Sequence, residues 1–219
     1  MKVYSILGAS PLFERTYLAV KDGRALIVDP GVSSERILSA CSALRADPVA
    51  VLLTHGHADH MIGAVGLQKS GIKVYAAEAE FELIASRKNL ALALGLTLDP
   101  LSPDVALHDD DKPSLAPFDV TVIATPGHTV GGVCYLVDGV LFSGDTLFAG
   151  SYGRTDFPTG DEMDLLCSIT NTLFELPKST PVYAGHGFDR ASESEVLILA
   201  EPDTTIGDEY YTNPILNLL

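Results

Sequence analysis

The sequence has few of the residues that would indicate a secreted, membrane or nucleic-acid-binding protein. It contains three cysteines and no tryptophan in 219 residues, and an odd number of widely spaced cysteines argues against a disulfide framework. Lysine and arginine total 14 against 29 acidic residues, a net charge of −15, which disfavours nucleic acid and anionic membranes as partners. No apolar run approaches the roughly 20 residues of a spanning helix, and the N-terminus has no signal-peptide h-region. We therefore expect a soluble, cytoplasmic protein.

Short aliphatic and β-branched runs alternate with segments of helical periodicity. The runs predict strands at residues 25–29, 49–54, 73–76, 120–125, 133–137, 140–143 and 182–184. Helices are predicted after Ser33-Ser34 and after Asp161, which can act as N-caps, and at 81–98 and 191–201. The Asp138-Gly139 hairpin signal occurs together with strand–helix alternation, which indicates sheets of mixed strand direction. The expected fold is one α/β domain built as a layered sandwich.

Ligand-type side chains follow four of the predicted strands. Five of the six histidines lie beside strand ends, where loops on a rigid scaffold carry chemistry. His55 and His57 are two residues apart and point the same way in an extended segment, as ligands of one ion would. The seven candidate ligands are His55, His57, Asp59, His60, His128, Asp145 and His186. So many imidazole and carboxylate donors, with no thiolate, favour two adjacent divalent ions, most simply zinc, with iron or manganese as alternatives.

Less specific interpretations of the same residues stay open. A lone histidine at a strand end, such as His186, is often a satisfied polar residue, and Asp145 alone is typical of a turn. The alternative for the segment 55–60 is a solvated loop. His108 lies in a charged loop and is interpreted as a surface residue. The three cysteines have no histidine or acidic neighbour at ligand spacing, and we expect all of them in the core.

In order and spacing, the motifs resemble those of the metallo-β-lactamase superfamily. The matching segments are His55-x-His57-x-Asp59-His60, Thr125-Pro126-Gly127-His128-Thr129, Gly144-Asp145-Thr146 and Gly185-His186-Gly187. Residues 142–148, 153–158 and 203–209 are similar to the small type II glyoxalase-like thioesterases. The resemblance implies a four-layer αβ/βα sandwich over residues 1–219, with metals at the edge of two sheets. Residues 188–202 are predicted to be an extra helical insert that caps one wall of the pocket.

The resemblance also implies a role for each candidate ligand. It assigns the first metal to His55, His57 and His128, the second to Asp59, His60 and His186, and places Asp145 between them as a bridge. The implied activity is thioester hydrolysis, like that of hydroxyacylglutathione hydrolases, by a hydroxide that bridges the metals. Asp59 is also a candidate for proton transfer. True β-lactamases of the superfamily have a cysteine where this chain has Asp145, which predicts no antibiotic hydrolysis.

The expected partner is a small-molecule acyl thioester, and a homodimer stays open. Glutathione thioesterases of the family carry basic residues in a C-terminal helical domain, whereas Arg190 is the one cationic residue after His186. Arg154 is the remaining candidate for a substrate carboxylate, with an ion pair to Asp156 as its alternative. Tyr152 is expected to line the pocket or to pack.

Two rival functions use the same residues. A mononuclear iron persulfide dioxygenase would hold its metal with His55, His128 and Asp145, two imidazoles and one carboxylate. The other rival is a non-catalytic metal-binding protein, but the glycines around the ligands favour an open site rather than a closed structural one.

Overall fold

The computed structural model describes residues 1–8, 12–187 and 197–218. Its strands are β1 (Lys2–Leu7), β2 (Arg15–Lys21), β3 (Arg24–Val28), β4 (Asp47–Leu52), β5 (Val74–Ala77), β6 (Val105–Leu107), β7 (Val120–Ala124), β8 (Val133–Val137), β9 (Val140–Gly144), β10 (Leu147–Phe148), β11 (Ser151–Tyr152), β12 (Pro181–Ala184), β13 (Leu197–Leu199) and β14 (Thr204–Thr205). Its α-helices are α1 (Ser34–Leu44), α2 (Ala64–Lys69), α3 (Phe81–Ala85), α4 (Glu162–Cys167) and α5 (Ile206–Thr212). Single helical turns and a π-helical segment are found at Ala58–His60, Glu78–Glu80, Arg87–Asn89, Ser168–Thr172, Leu173–Glu175 and Pro214–Leu218.

Two mixed sheets make up the centre of the molecule. The first has the strand order β13-β1-β2-β3-β4-β5-β6 and the second has the order β14-β12-β9-β8-β7. In the first sheet β1 to β3 pair antiparallel and β3 to β6 pair parallel; in the second, β7 to β9 pair antiparallel and β9 pairs parallel with β12. Asp138 and Gly139 join β8 to β9 with positive φ angles of 47° and 85°, as a tight hairpin turn requires.

The apolar residues of β3 show how the layers form. Leu26 and Val28 face the second sheet, whereas Ala25 and Ile27 face the helices on the other side. This alternation follows from the two-residue period of a strand and needs apolar side chains at every position, because both faces of the sheet are covered. The core between the sheets and the core under α1 and α2 are therefore separate.

A third core lies on the outer face of the second sheet. Leu141 and Val182 of the sheet pack against Leu165 and Leu166 of α4 and Ile206 of α5. The order of layers is thus helices, sheet, sheet, helices, which confirms the predicted α/β four-layer sandwich in a single domain. Asp161 caps α4 by accepting hydrogen bonds from the backbone N–H groups of residues 163 and 164, as the sequence predicts.

Two helix predictions are wrong in part. The helix predicted at 81–98 ends at Ala85, because Ser86 is extended (φ −103°, ψ 167°) and Leu90 is left-handed (φ 68°). In the helix predicted at 191–201, Leu197–Leu199 instead form β13, which pairs antiparallel with β1 and so covers the exposed edge of the first sheet. Residues 188–196 of the predicted insert lie outside the described residues, so its cap over the pocket stays a prediction.

The cysteines and the predicted loop need smaller corrections. Cys41 and Cys134 are buried as expected, but Cys167 is exposed. It is the last residue of α4, and the core side chains of that helix are Leu165 and Leu166. Residues 100–117, whose proline- and aspartate-rich sequence predicts a surface loop, contain the short strand β6. Within the described ranges, no helix has both the length and the hydropathy to cross a bilayer.

Candidate metal centre

Four strands place the seven predicted ligands together. His55 follows β4, His128 follows β7, Asp145 comes directly after β9 and His186 follows β12. β4 belongs to the first sheet and the other three strands belong to the second. The site therefore lies at the rim of the sandwich, between the two sheets, where a rigid scaffold holds the loops.

Three imidazoles form the first cluster. His57 Nδ1 lies 3.1 Å from His55 Nε2 and 3.0 Å from His128 Nε2, and all three side chains are buried. Nitrogen ligands at 2.0–2.1 Å from one tetrahedral zinc ion are about 3.3 Å apart. Both distances to His57 Nδ1 are close to this spacing, and all three nitrogens lie within 4.8 Å of one another, so one ion fits among them.

The second cluster contains Asp59, His60 and His186. His60 Nε2 lies 3.2 Å from His186 Nε2. The Oδ2 atom of Asp59 lies 3.5 Å from His186 Nε2 and 3.9 Å from His60 Nε2. Asp59 and His60 are part of the helical turn Ala58–His60, which begins directly after His57. The His60 ring also packs against His55 of the first cluster, with ring centroids 4.2 Å apart.

Asp145 lies between the two clusters. Its Oδ2 atom is 3.6 Å from His128 Nε2 and 3.4 Å from His186 Nε2, and its Oδ1 atom is 3.6 Å from His60 Nε2. The carboxylate thus faces imidazoles of both clusters. Gly144 before it has a φ of 48°, and a Cβ atom there would lie 2.2 Å from Thr54 Oγ1, so glycine is needed to bring Asp145 against the loop after β4.

Hydrogen bonds to the outer ring nitrogens fix the orientation of the imidazoles. His128 Nδ1 is 2.7 Å from the carbonyl oxygen of Arg154, and His186 Nδ1 is 3.0 Å from that of Leu12. A carbonyl oxygen only accepts, so each Nδ1 carries a proton and, in the neutral ring, each Nε2 presents a lone pair to the centre. Such outer contacts hold metal-ligating histidines in place.

Sequence reasoning missed Asp29 as a residue of this site. Its Oδ1 accepts a hydrogen bond from the backbone N–H of Thr54 at 2.7 Å, and its Oδ2 accepts from Thr54 Oγ1 at 2.6 Å and lies 3.0 Å from His60 Nδ1. Asp29 also forms a third group of possible ligands with His55 and His60, but its oxygens are already used by Thr54. Asp29 lies at the end of β3, before a Pro-Gly turn, and this position at a strand end could have marked it as a residue of the site.

The pKa shifts describe the metal-free site. Burial, with the neighbouring imidazoles, lowers the pKa of His55 well below its usual value and that of His57 to about 3. Burial also lowers the pKa of His128. Burial opposes protonation of His60 and His186 as well, but the Asp145 carboxylate and Asp59 outweigh it and raise their pKa values. The first cluster is therefore neutral, the form in which histidine binds a metal.

The donor set fits two divalent cations. His60 and His186 each donate their Nδ1–H to an accepting oxygen, so in the neutral rings their Nε2 lone pairs face one another at 3.2 Å. Asp145 Oδ1 is buried and has no hydrogen-bond partner among the residues that the structure describes. Positive ions among these atoms would satisfy both the lone pairs and the carboxylates.

A cavity of about 360 Å³ opens onto the centre. The predicted substrate residues Arg154 and Tyr152 both line it, together with four apolar residues, Leu90, Leu94, Phe148 and Phe157. A larger cavity of about 650 Å³ next to it shares Asp59 and Leu94 in its lining. The centre thus has room for an extended small molecule.

The sequence left two alternatives for Arg154 and for Tyr152: a place in the lining of the cavity, or an ion pair for Arg154 and core packing for Tyr152. The structure shows both for each residue. Arg154 lines the cavity and also bonds to both carboxylate oxygens of Asp156 at 2.6 Å, with its guanidinium 3.9 Å above the Phe157 ring. Tyr152 lines the cavity and also packs against the third core. His108 is exposed and bonds to Glu78, as predicted for a surface residue.

Comparisons with known proteins agree with this geometry. The chain is 33% identical over 213 residues to "Probable metallo-hydrolase YqgX" of Bacillus subtilis, with 94% of each chain covered. It is 35% identical over 199 residues to "Hydroxyacylglutathione hydrolase GloC" of Haemophilus influenzae, covering 88% of this chain and 87% of that protein.

Solved structures give the same result. The crystal structure of BLEG-1 B3 metallo-beta-lactamase matches with a TM-score of 0.82 at 32% identity, over 97% of this chain and 99% of that one. The crystal structure of TTHA1623 in a di-iron-bound form matches with a TM-score of 0.79 at 32% identity, over 95% and 98%. The family model of the metallo-beta-lactamase superfamily matches residues 9–205. The chain therefore belongs to the metallo-β-lactamase superfamily.

Proposed function

We propose that this protein hydrolyses an acyl thioester with two divalent metal ions, as the glyoxalase II-like enzymes of its superfamily do. The observation that carries the proposal is the position of Asp145, whose carboxylate faces imidazoles of two separate donor clusters at 3.4–3.6 Å. A site for one ion would need only one of these clusters. Two clusters around a common carboxylate are the arrangement expected for a binuclear hydrolase.

The proposed ligand sets follow the two clusters. The first set is His55, His57 and His128; the second is Asp59, His60 and His186; and Asp145 is shared. When bound, two divalent ions would lower the pKa of a water molecule to near 7 and polarise the carbonyl of the substrate. Zinc is proposed because the donors are imidazole and carboxylate, with iron or manganese as alternatives, since TTHA1623 was crystallised in a di-iron-bound form.

The chain's own residues would position the substrate and move a proton. Asp59 lines both cavities, so its carboxylate is placed to take a proton from the attacking water while it also serves as a ligand. Leu90, Leu94 and Phe157 would exclude bulk water from the acyl group, which strengthens electrostatic interactions in the cavity. A thiolate leaves readily, so the residues around the cavity need not supply a general acid.

We propose that the leaving thiol carries fewer carboxylate groups than glutathione does. Among the described residues that line the metal-facing cavity, Arg154 is the one cationic side chain, and Asp156 already neutralises it. Arg190, the one cationic residue after His186, lies outside the described residues. A small acyl thioester with at most one carboxylate therefore suits the cavity better than one with several.

Elemental analysis coupled to a thioester assay tests the proposal. We expect about two zinc ions per chain, thioester hydrolysis that a chelator abolishes, and recovery of the activity when zinc is restored. One iron per chain with sulfide-dependent oxygen uptake would contradict it and favour the persulfide dioxygenase. Bound metal without any turnover would favour a non-catalytic metal-binding protein.

A chromogenic cephalosporin belongs in the same assay. BLEG-1, which is 32% identical to this chain, is named a B3 metallo-beta-lactamase, so the absence of antibiotic hydrolysis is a prediction that needs its own test.

We also propose a cytoplasmic location, supported by free rather than paired cysteines.

A further inference from the structure

Glu80 is a buried carboxylate that the proposed mechanism does not use. It closes the helical turn Glu78–Glu80 between β5 and α3, and its side chain is only 1% exposed. In the sequence it belongs to an acidic segment, Ala77-Glu78-Ala79-Glu80, of the kind that usually faces solvent. A buried carboxylate needs strong hydrogen bonds to offset its lost hydration.

Two backbone N–H groups bind this carboxylate, one to each oxygen. The N–H of Gly56 donates to Oε2 at 2.6 Å, and the N–H of Gly131 donates to Oε1 at 2.7 Å. Gly56 lies between His55 and His57, and Gly131 lies three residues after His128. One side chain therefore connects the two loops that carry all three imidazoles of the first cluster.

The close approach of both loops depends on glycine. A Cβ atom at Gly56 would lie 2.9 Å from Glu80 Oε2 and 2.9 Å from Ile84 Cγ1. A Cβ atom at Gly131 would lie 2.7 Å from the Cβ of Ala79 and 2.8 Å from the backbone nitrogen of Glu80. Any other residue at either position would push its loop away from Glu80, and with it the neighbouring histidines.

We propose that Glu80 is a positioning residue that sets the distance between the His55–His57 loop and the His128 loop and thereby builds the first metal site. The inference rests on the proposed ligand sets. Among the described residues, the hydrogen bonds of Glu80 go to Gly56 and Gly131 and not to His186 or its neighbours 185 and 187, and His186 is held by the carbonyl oxygen of Leu12. The effect of Glu80 should therefore be larger at the first site than at the second.

Two kinds of substitution test the proposal. In Glu80→Gln the side-chain NH₂ group faces one of the two backbone N–H groups, so one loop loses its acceptor. In Gly56→Ala the added Cβ atom would lie 2.9 Å from Glu80 Oε2 and so disturb the hydrogen bond between the Gly56 N–H and that oxygen. Either change should weaken zinc binding at the first site by roughly 10- to 100-fold, the usual effect of removing a group that orients a ligand. If Glu80→Gln fails to fold, Gly56→Ala and Glu80→Asp carry the test.

Glu209→Gln is a matched control. Glu209 is also buried, and it accepts a hydrogen bond from the backbone N–H of Gly150 as well as from Thr204 and Asn213. These three hydrogen-bond partners, all within the described part of the chain, lie outside the segments that carry the histidines. This control should lower the melting temperature, as loss of a buried carboxylate does, but should leave zinc binding at both sites unchanged.

The measurement is a zinc titration of the metal-free full-length protein, followed by ¹⁵N NMR of the imidazole rings. The six histidines report separately: three for the first site, His60 and His186 for the second, and the exposed His108 for non-specific binding. In Glu80→Gln we expect His55, His57 and His128 to respond only at raised zinc concentrations, while His60 and His186 respond as in the unmodified protein.

Three kinds of result would overturn the proposal. In one, all five site histidines of Glu80→Gln respond as in the unmodified protein. In another, all five weaken equally, or Glu209→Gln shows the same selective loss, which would make Glu80 a general stabilising residue. In the third, the unmodified protein shows no imidazole response to zinc, which would also overturn the proposed ligand sets; the first two results would leave those sets intact.

Discussion

Replacing Asp29 by asparagine should destabilise the protein and weaken the second metal site together. The aspartate accepts hydrogen bonds from the backbone and the hydroxyl of Thr54 and contacts His60 Nδ1, at 2.7, 2.6 and 3.0 Å, whereas the asparagine side chain has one accepting oxygen. Each hydrogen bond to a buried charged acceptor contributes about 1.5–3 kcal/mol. Losing the equivalent of one or two of them should lower the free energy of unfolding by about 3 kcal/mol.

The backbone does not complicate this substitution. Asp29 is left-handed, with a φ of 48°, and asparagine tolerates that conformation as well as aspartate does. Asp138 has almost the same φ, 47°, but its carboxylate accepts from the partly buried Lys21 and from the backbone N–H of Asp119 at an exposed position. Asp138→Asn is therefore the matched control, and it should cost less than about 1 kcal/mol.

Urea unfolding of the metal-free protein and a zinc competition assay measure the two effects. We expect Asp29→Asn to lower zinc affinity by roughly 10- to 100-fold at the site that contains His60, since Asp29 orients that ring. Equal unfolding free energies for Asp29→Asn and Asp138→Asn would refute the reasoning. So would full zinc affinity in a variant that is destabilised.

Three further predictions concern the metals, the cavity and pH. His57→Ala and Asp145→Ala should each lose bound zinc and thioester turnover together by elemental analysis and assay; full turnover in either variant would show that its role is wrongly assigned. Arg154→Ala should raise KM by up to about fivefold and leave kcat unchanged, as expected for an exposed charge pair; an unchanged KM with a carboxylate-bearing thioester would remove Arg154 from the substrate site. Raised pKa values of His60 and His186 mean that zinc must displace protons there, so calorimetry in buffers of different ionisation enthalpy should show proton release that decreases as the pH is raised through these pKa values; zinc uptake without proton release at a pH below them would contradict this.

The sequence predicted the site better than it predicted some of the elements around it. Strand ends are marked by short apolar runs followed by glycine, histidine and aspartate, so the loops after β4, β7, β9 and β12 could be recognised locally. Leu197–Leu199 were predicted as helix, because three consecutive apolar residues are compatible with the periodicity of a helix as well as with that of a strand. Pairing with β1, a contact over nearly 200 residues, makes them a strand.

The residues that support the ligands were harder to predict. Glu80 looks like a surface residue in the sequence, because nothing local shows that Gly56 and Gly131 will meet its two oxygens. The helix predicted at 81–98 had suitable periodicity, but Leu90 and Leu94 line the cavity instead of continuing α3. In both cases tertiary contacts decide the outcome, and one sequence does not reveal them.

Anomalous diffraction from a zinc-loaded crystal tests the central claim most directly. The account predicts two zinc peaks about 3.5–4 Å apart, one among His55, His57 and His128, the other at Asp59, His60 and His186, with Asp145 between them. A single peak at full zinc occupancy, or zinc bound away from Asp145, would contradict it.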